Sequence, residues 1–153
     1  LQILLETKKR ISYNTITKYW KDTGTIEDII DANKTILENS ESYCKTKNNL
    51  NYKQTNNIMI GNNVSFGKNV SLHGPVIIGD NCKIEECILG PNVSIGNNTE
   101  LDECKIKNSI IMENVTIKNK INLNNSIISY NNKITSENKE KSLILCEDSK
   151  LEL

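Results

Sequence analysis

Residues able to do chemistry are few in this chain and widely spaced. His73 is the one histidine and stands in Leu72-His73-Gly74-Pro75-Val76. A neutral imidazole is a natural general base near neutral pH, but at a turn the simpler reading is an exposed structural side chain. Asp22 stands in Trp20-Lys21-Asp22-Thr23-Gly24-Thr25, where the ordinary use of a carboxylate is to hydrogen-bond the turn ahead of a helix. Trp20, beside a strand end, reads as packing. The five cysteines are an odd number with no C-x-x-C pair, which fits neither a disulfide framework nor a zinc site and implies reduced thiols. Cys82, Cys87 and Cys104 fall at small inward positions of a repeat, where a thiol acts as a compact hydrophobe. Cys44 lies in a polar linker and Cys146 in a terminal strand, neither with a ligand partner nearby.

Composition limits what can surround these residues. At 153 residues and 37% hydrophobic, the chain can bury one core but not two full-sized enzyme domains. Nineteen basic and nineteen acidic residues cancel, so no field strong enough to hold nucleic acid or an anionic membrane is expected. No apolar stretch approaches the roughly 20 residues that span a bilayer, and Leu1 to Leu5 lacks the charged start and cleavage site of a signal peptide. A cytoplasmic protein is expected. Opening on Leu1 rather than Met, the chain reads as part of a longer protein.

The elements that must position these residues are announced by a repeat. From Ile60 an apolar residue recurs at Phe66, Leu72, Ile78, Ile84, Leu89, Ile95, Leu101, Ile106, Ile111, Ile117, Leu123, Ile128 and Ile134, always six or five residues on. Four residues after most of them comes a smaller inward candidate: Val64, Val70, Val76, Cys82, Val93, Thr99, Val115, Ile121. Pairs two apart, such as Val64 with Phe66, face one way as strand neighbours do, and the serine between them points out. Gly and Asn fill the turns, where both tolerate positive φ. Three hexads make a coil of roughly 18 residues, and stacked coils pair their strands in parallel about 4.8 Å apart. Six-residue spacing never returns to one face of a 3.6-residue helix. The expected fold is therefore mainly β: a left-handed parallel β-helix of about four coils over residues 58–153, each five-residue step shortening a turn without moving the inward face.

Residues 1–39 are of another kind. They read as the end of a helix carrying Leu1, Leu4 and Leu5, an alternating strand from Ile11 to Tyr19, and a helix opened by a Thr25 and Asp28 capping box. Ile26, Ile29, Ile30, Ile36 and Leu37 give that helix one apolar face. Such an α/β remnant must pack on the β-helix or on a domain outside this sequence. Polar residues 40–57 read as a linker, and Lys139 to Lys141 as a solvated loop interrupting the β-helix before a strand at Leu143 to Cys146. Asparagine is abundant, 24 residues concentrated after Lys47.

Taken together these residues resemble a known family. Trp20-Lys21-Asp22-Thr23-Gly24-Thr25, Glu27-Asp28-Ile29 and Ala32-Asn33 are similar to the W-K-D-T-G-x-x-E-D-L-L-x-A-N signature of the long-form glucose-1-phosphate thymidylyltransferases. The likeness continues through Gly74-Pro75-Val76-Ile77-Ile78-Gly79, Leu89-Gly90-Pro91-Asn92-Val93-Ser94-Ile95-Gly96, Ser109-Ile110-Ile111, Ser126-Ile127-Ile128 and the closing residues 145–153. The resemblance implies an enzyme in which a sugar 1-phosphate oxygen attacks the α-phosphorus of dTTP or UTP, leaving a nucleotide-sugar and pyrophosphate. It implies Mg2+ as cofactor and places a share of the metal binding on Asp22. The family's phosphate-cradling loop, G-x-G-x-[RK]-L, does not occur here, since no two glycines stand two apart. The chain thus reads as the C-terminal part of such an enzyme, holding no catalytic residue and no nucleotide-binding residue of its own, inactive alone and serving assembly.

A competing reading is acyl transfer, because many hexapeptide β-helices are acetyltransferases that use a histidine base and bind acetyl-CoA between subunits. His73 is then the base, or the whole protein combines both activities on amino sugar phosphates. Against this, the repeat holds no inserted loop to fold over CoA. Flat β-helix faces commonly pack into trimers, so a homo-oligomer is expected on either reading.

Overall fold

In a computed structural model the repeat is a parallel β-solenoid. Residues 2–7, 10–45, 52–54, 57–135, 140–141, 143–145 and 150–152 are described. Three sheets form its sides. The first holds β1 (Tyr43–Cys44), β3 (Ile58–Ile60), β6 (Val76–Ile78), β9 (Val93–Ile95), β12 (Ser109–Ile111), β15 (Ile127–Ile128) and β18 (Ile144–Leu145). The second holds β4 (Ser65–Phe66), β7 (Lys83–Glu85), β10 (Glu100–Asp102), β13 (Thr116–Lys118), β16 (Lys133–Thr135) and β19 (Lys150–Glu152). The third holds β2 (Tyr52–Gln54), β5 (Val70–Leu72), β8 (Ile88–Leu89), β11 (Cys104–Lys107), β14 (Ile121–Asn124) and β17 (Glu140–Lys141). From β3 on the chain visits the sheets in the order first, second, third, and the pairings are parallel. The fold is mainly β and accords with the expected left-handed β-helix.

The solenoid makes about five turns rather than four. Additional rungs come from polar segments that carry no hexad signal: β1 and β2 lie in the stretch read as a linker, and β17 falls within the expected loop at Lys139 to Lys141. Their backbone groups complete the ladder although their side chains do not mark it. Residue 139 and Cys146 lie outside the described residues.

Register survives the five-residue steps as expected. Ile58 pairs with Val76 and Val76 with Val93, while the shortened coil pairs Val93 with Ser109. Ile84 stays over Leu101, Ile117 and Ile134, and Leu72 over Leu89, Ile106 and Leu123. These apolar columns are closed to solvent, and Thr99, Ser109, Ser126 and Asn132 join them at corners. Each fully buried Leu or Ile contributes roughly 1.5–3 kcal/mol of transfer free energy.

The corners use glycine and asparagine differently from expectation. Among the described glycines only Gly90, at φ 102°, has positive φ. Gly61, Gly79 and Gly96 instead stack backbone on backbone between the first and second sheets: a Cβ on Gly96 would lie 2.6 Å from the Met112 carbonyl carbon. Positive φ falls to Asn63, Asn81, Asn98, Asn114 and Asn131, at 54° to 59°. Their amides form one ladder, Asn63 donating to Asn81, Asn81 to Asn98, Asn98 to Asn114 and Asn114 to Asn131, at 3.1–3.2 Å.

Before the solenoid, α1 (Gln2–Glu6) and α2 (Ile26–Glu38) are helical as expected. The strand expected from Ile11 to Tyr19 is not formed. It has no partner strand among the described residues, and both of its faces meet solvent, with Tyr13 90% exposed.

Candidate functional site

The segment that resembles the enzyme signature is held by the N-terminus of α2. Thr25 caps this helix: its hydroxyl accepts from the Asp28 backbone N–H at 3.2 Å, and the Asp28 carboxylate accepts from the Thr25 backbone N–H at 3.2 Å. The sequence-predicted capping box therefore forms, shorter acid included, and Glu27 and Asp28 complement the positive end of the helix dipole.

Lys21 folds back onto the same turn. Its ammonium hydrogen-bonds the Asp31 carboxylate and sits 3.3 Å from Asp28. The hydrogen bond to Asp31, with Asp28 beside it, raises the Lys21 pKa above its ordinary value. Hydrogen bonding from Thr25, then Lys21, lowers that of Asp28. Asp22, next in sequence to Lys21, stays exposed in the loop ahead of the helix. Lys21 thus points toward two carboxylates, while Asp22 beside it is exposed.

The inner side of α2 docks on the first sheet. Leu37 is buried, and Asn33 Oδ1 accepts from the Ser94 hydroxyl at 2.6 Å. Between helix and solenoid lies a cleft of about 410 Å³, with Ile26, Ile30 and Lys34 on one wall and Asn92, Asn108 and Ile144 on the other. The single apolar face expected for the helix is split. Ile29 and Ile36 lie about 60–100° round from Leu37 and Ile26 at 100° per residue, and they are 38% and 61% exposed.

His73 stands elsewhere, exposed at the corner between β5 and β6, its backbone N–H bonded to the Leu89 carbonyl at 2.8 Å. No hydrogen bond or ion pair joins it to Asp22 among the described residues. Nor do those residues hold a group of three or more His, Cys, Asp or Glu side chains able to share a metal ion. Asp22 can therefore supply one hard oxygen ligand, which suits Mg2+ bound by one or two carboxylates together with phosphate oxygens. No helix among the described residues is long and apolar enough to cross a membrane.

The three inward cysteines are placed as expected, buried at the corners. Burial pushes the Cys82 thiol up to about 11. Two features escaped sequence reasoning. Lys21 is committed to Asp28 and Asp31, and Cys87 touches Cys104 across adjacent coils, Sγ to Sγ at 3.2 Å. Their separation of 17 residues is one coil, and this is the signal that could have found the cysteine pair.

Comparison with known proteins gives three findings. Residues 72–152 match the family model described as the GMPPB C-terminal domain. A glucose-1-phosphate thymidylyltransferase of Streptomyces antibioticus is 28% identical over 94 residues, and one of Streptomyces griseus 23% over 94 residues. In both, the match covers 61% of this chain but only 26% of the relative, so the chain spans about a quarter of the length of these curated proteins. No solved structure matches it.

Proposed function

The chain belongs to the GMPPB C-terminal domain family, and from that premise we propose that it is the C-terminal part of a sugar-phosphate nucleotidyltransferase. The whole protein joins a nucleoside triphosphate, dTTP or UTP, to glucose 1-phosphate and releases pyrophosphate. The observation that carries this reading is the union of the two segments in one order: the Asp22 element on a capped helix, docked through Asn33 and Ser94 onto the solenoid.

Asp22 would hold Mg2+ together with carboxylate and phosphate oxygens from outside this chain. When bound, the ion neutralises charge building on the phosphates during an in-line transfer. The chain's own residues have a positioning task. Thr25 and Asp28 fix the start of α2, and Lys21 braces the Asp22 loop against its first turn. The solenoid serves assembly, its flat sides suiting a homotrimer, and the chain alone is inactive. Reduced cysteines suit a cytoplasmic setting.

The test is made on the longer protein that carries this chain. Pyrophosphate release should require dTTP or UTP, glucose 1-phosphate and magnesium, and Asp22→Ala should abolish it while Asp31→Ala retains most of it. If acetyl-CoA and an amino sugar phosphate instead yield free CoA, and His73→Ala stops this, the reading is wrong and acyl transfer replaces it.

A further inference from the structure

The two buried thiols that touch have no part in nucleotidyl transfer. Cys87 and Cys104 occupy consecutive rungs of one inward column, as the pairing of Ile88 with Lys105 requires, and Ile121 stands next to Cys104 in the same column. They are 0% and 2% exposed, with sulfurs 3.2 Å apart. Parallel strands bring in-register Cα atoms to about 4.8 Å, inside the roughly 4.4–6.8 Å over which a disulfide closes without backbone movement. Cys82 is the internal contrast. Its pairing neighbourhood holds no second cysteine, and its thiol donates to the Gly96 carbonyl at 3.1 Å.

The pair also differs from an ordinary buried thiol in chemistry. Hydrogen bonding from Cys104 lowers the Cys87 pKa below its usual value, while the same bond and burial raise that of Cys104. Of the two, Cys87 is the thiol that gives up its proton more easily. Cys104 also borders a cleft of about 370 Å³ on the third sheet, together with Glu86, Ile88, Lys105 and Lys120.

We propose that Cys87 and Cys104 are a modification site that closes into a disulfide between adjacent coils on reaction with a peroxide. Cys87 sulfur attacks one oxygen of hydrogen peroxide and the O–O bond breaks. The departing oxygen takes the thiol proton and leaves as water, and Cys87 becomes a sulfenic acid. Cys104 sulfur then attacks Cys87 sulfur, the S–O bond breaks, and hydroxide leaves with the Cys104 proton as a second water. Two thiols lose two electrons and one peroxide becomes two waters. The bond joins two coils covalently, and reduction by a thiol reverses it.

The sequence allows a direct reading of the product. No Lys or Arg lies between the two cysteines, but Glu86, Glu100, Glu103 and Glu113 do or flank them. Cleavage after glutamate therefore separates Cys87 to Glu100 from Cys104 to Glu113. Native protein is treated with hydrogen peroxide, alkylated in denaturant, cleaved and weighed. These two peptides should be the predominant joined species, parted by dithiothreitol, with Cys82 fully alkylated. Cys87→Ser should remove the joined species and leave Cys104 alkylated. Unfolding the wild-type protein before peroxide should replace it with a mixture over all five thiols. Full alkylation of Cys87 and Cys104 after Cys44 has been oxidised would overturn the proposal. So would the same mixture from native and unfolded protein, a test that holds even if the variant does not fold.

Discussion

Replacing Asn98 separates two contributions that the corner ladder makes at once. Its amide donates to Asn114 Oδ1 at 3.1 Å, and its own oxygen accepts from Asn81 at 3.2 Å. Both bonds are near solvent, so each is assigned the lower end of the usual range, about 0.5 kcal/mol. The backbone stands at φ 57°, a conformation that costs a residue with an ordinary Cβ about 1–2 kcal/mol. Asn98→Ala loses the bonds and meets the backbone cost, for a total of about 2–3 kcal/mol. Asn98→Gly loses the same bonds without the steric cost but adds about 0.5–1 kcal/mol of unfolded-chain freedom, so it should cost about 1.5–2 kcal/mol. Urea unfolding followed by circular dichroism reads both, with the slope against denaturant unchanged. The reasoning fails if alanine costs less than about 0.5 kcal/mol, the range of a neutral surface change, or if glycine proves worse than alanine.

Three further outcomes follow. Leu89→Ala, in a fully closed column, should cost about 2–5 kcal/mol, and a loss under 1 kcal/mol in the same assay would mean that the column is not packed. Asp80 accepts from the Asn62 backbone N–H at 2.7 Å, and this bond lowers its pKa below 3.8. A depressed carboxylate stabilises the fold above its unfolded pKa and loses that contribution as pH falls through its folded one. Melting temperature should therefore drop on acidification below pH 3.8, and more shallowly in Asp80→Asn; equal slopes contradict this. Thr25→Ala should cost about 1 kcal/mol of α2 stability, seen as faster amide exchange over Ile26–Asp31 and unchanged exchange in β9.

Much of this architecture is legible in the sequence because its signal is local. Hexads from Ile60 to Ile134 state both the inward face and, through the five-residue steps, a tolerance in corner length. The Thr25 and Asp28 spacing states the helix start. What is not legible depends on what stands one coil away. Strands β1, β2 and β17 carry no hexad signal and yet pair with the neighbouring coil. The glycine stack at Gly61, Gly79 and Gly96 follows from the approach of neighbouring coils, so intrinsic tolerance of positive φ gave the wrong reason for it. Serines 109 and 126 are inward because they bond within the corner: the Ser109 hydroxyl donates to the Lys107 carbonyl at 2.7 Å and accepts from the Ser126 backbone N–H at 3.1 Å. The alternation from Ile11 to Tyr19 promised a strand, but alternation specifies a strand only where a neighbouring edge exists. At the candidate site, the acid and its helix were readable, whereas the turning of Lys21 onto Asp28 and Asp31 was not, because one cation among several nearby carboxylates can pair in several ways.

Pyrophosphate production measured side by side, for the 153-residue chain and for the longer protein that carries it, tests the central claim most directly. With magnesium, glucose 1-phosphate and either dTTP or UTP, the account predicts release by the longer protein and none above background from the chain alone. Turnover by the isolated chain, or no turnover by the longer protein with any nucleoside triphosphate, would contradict it.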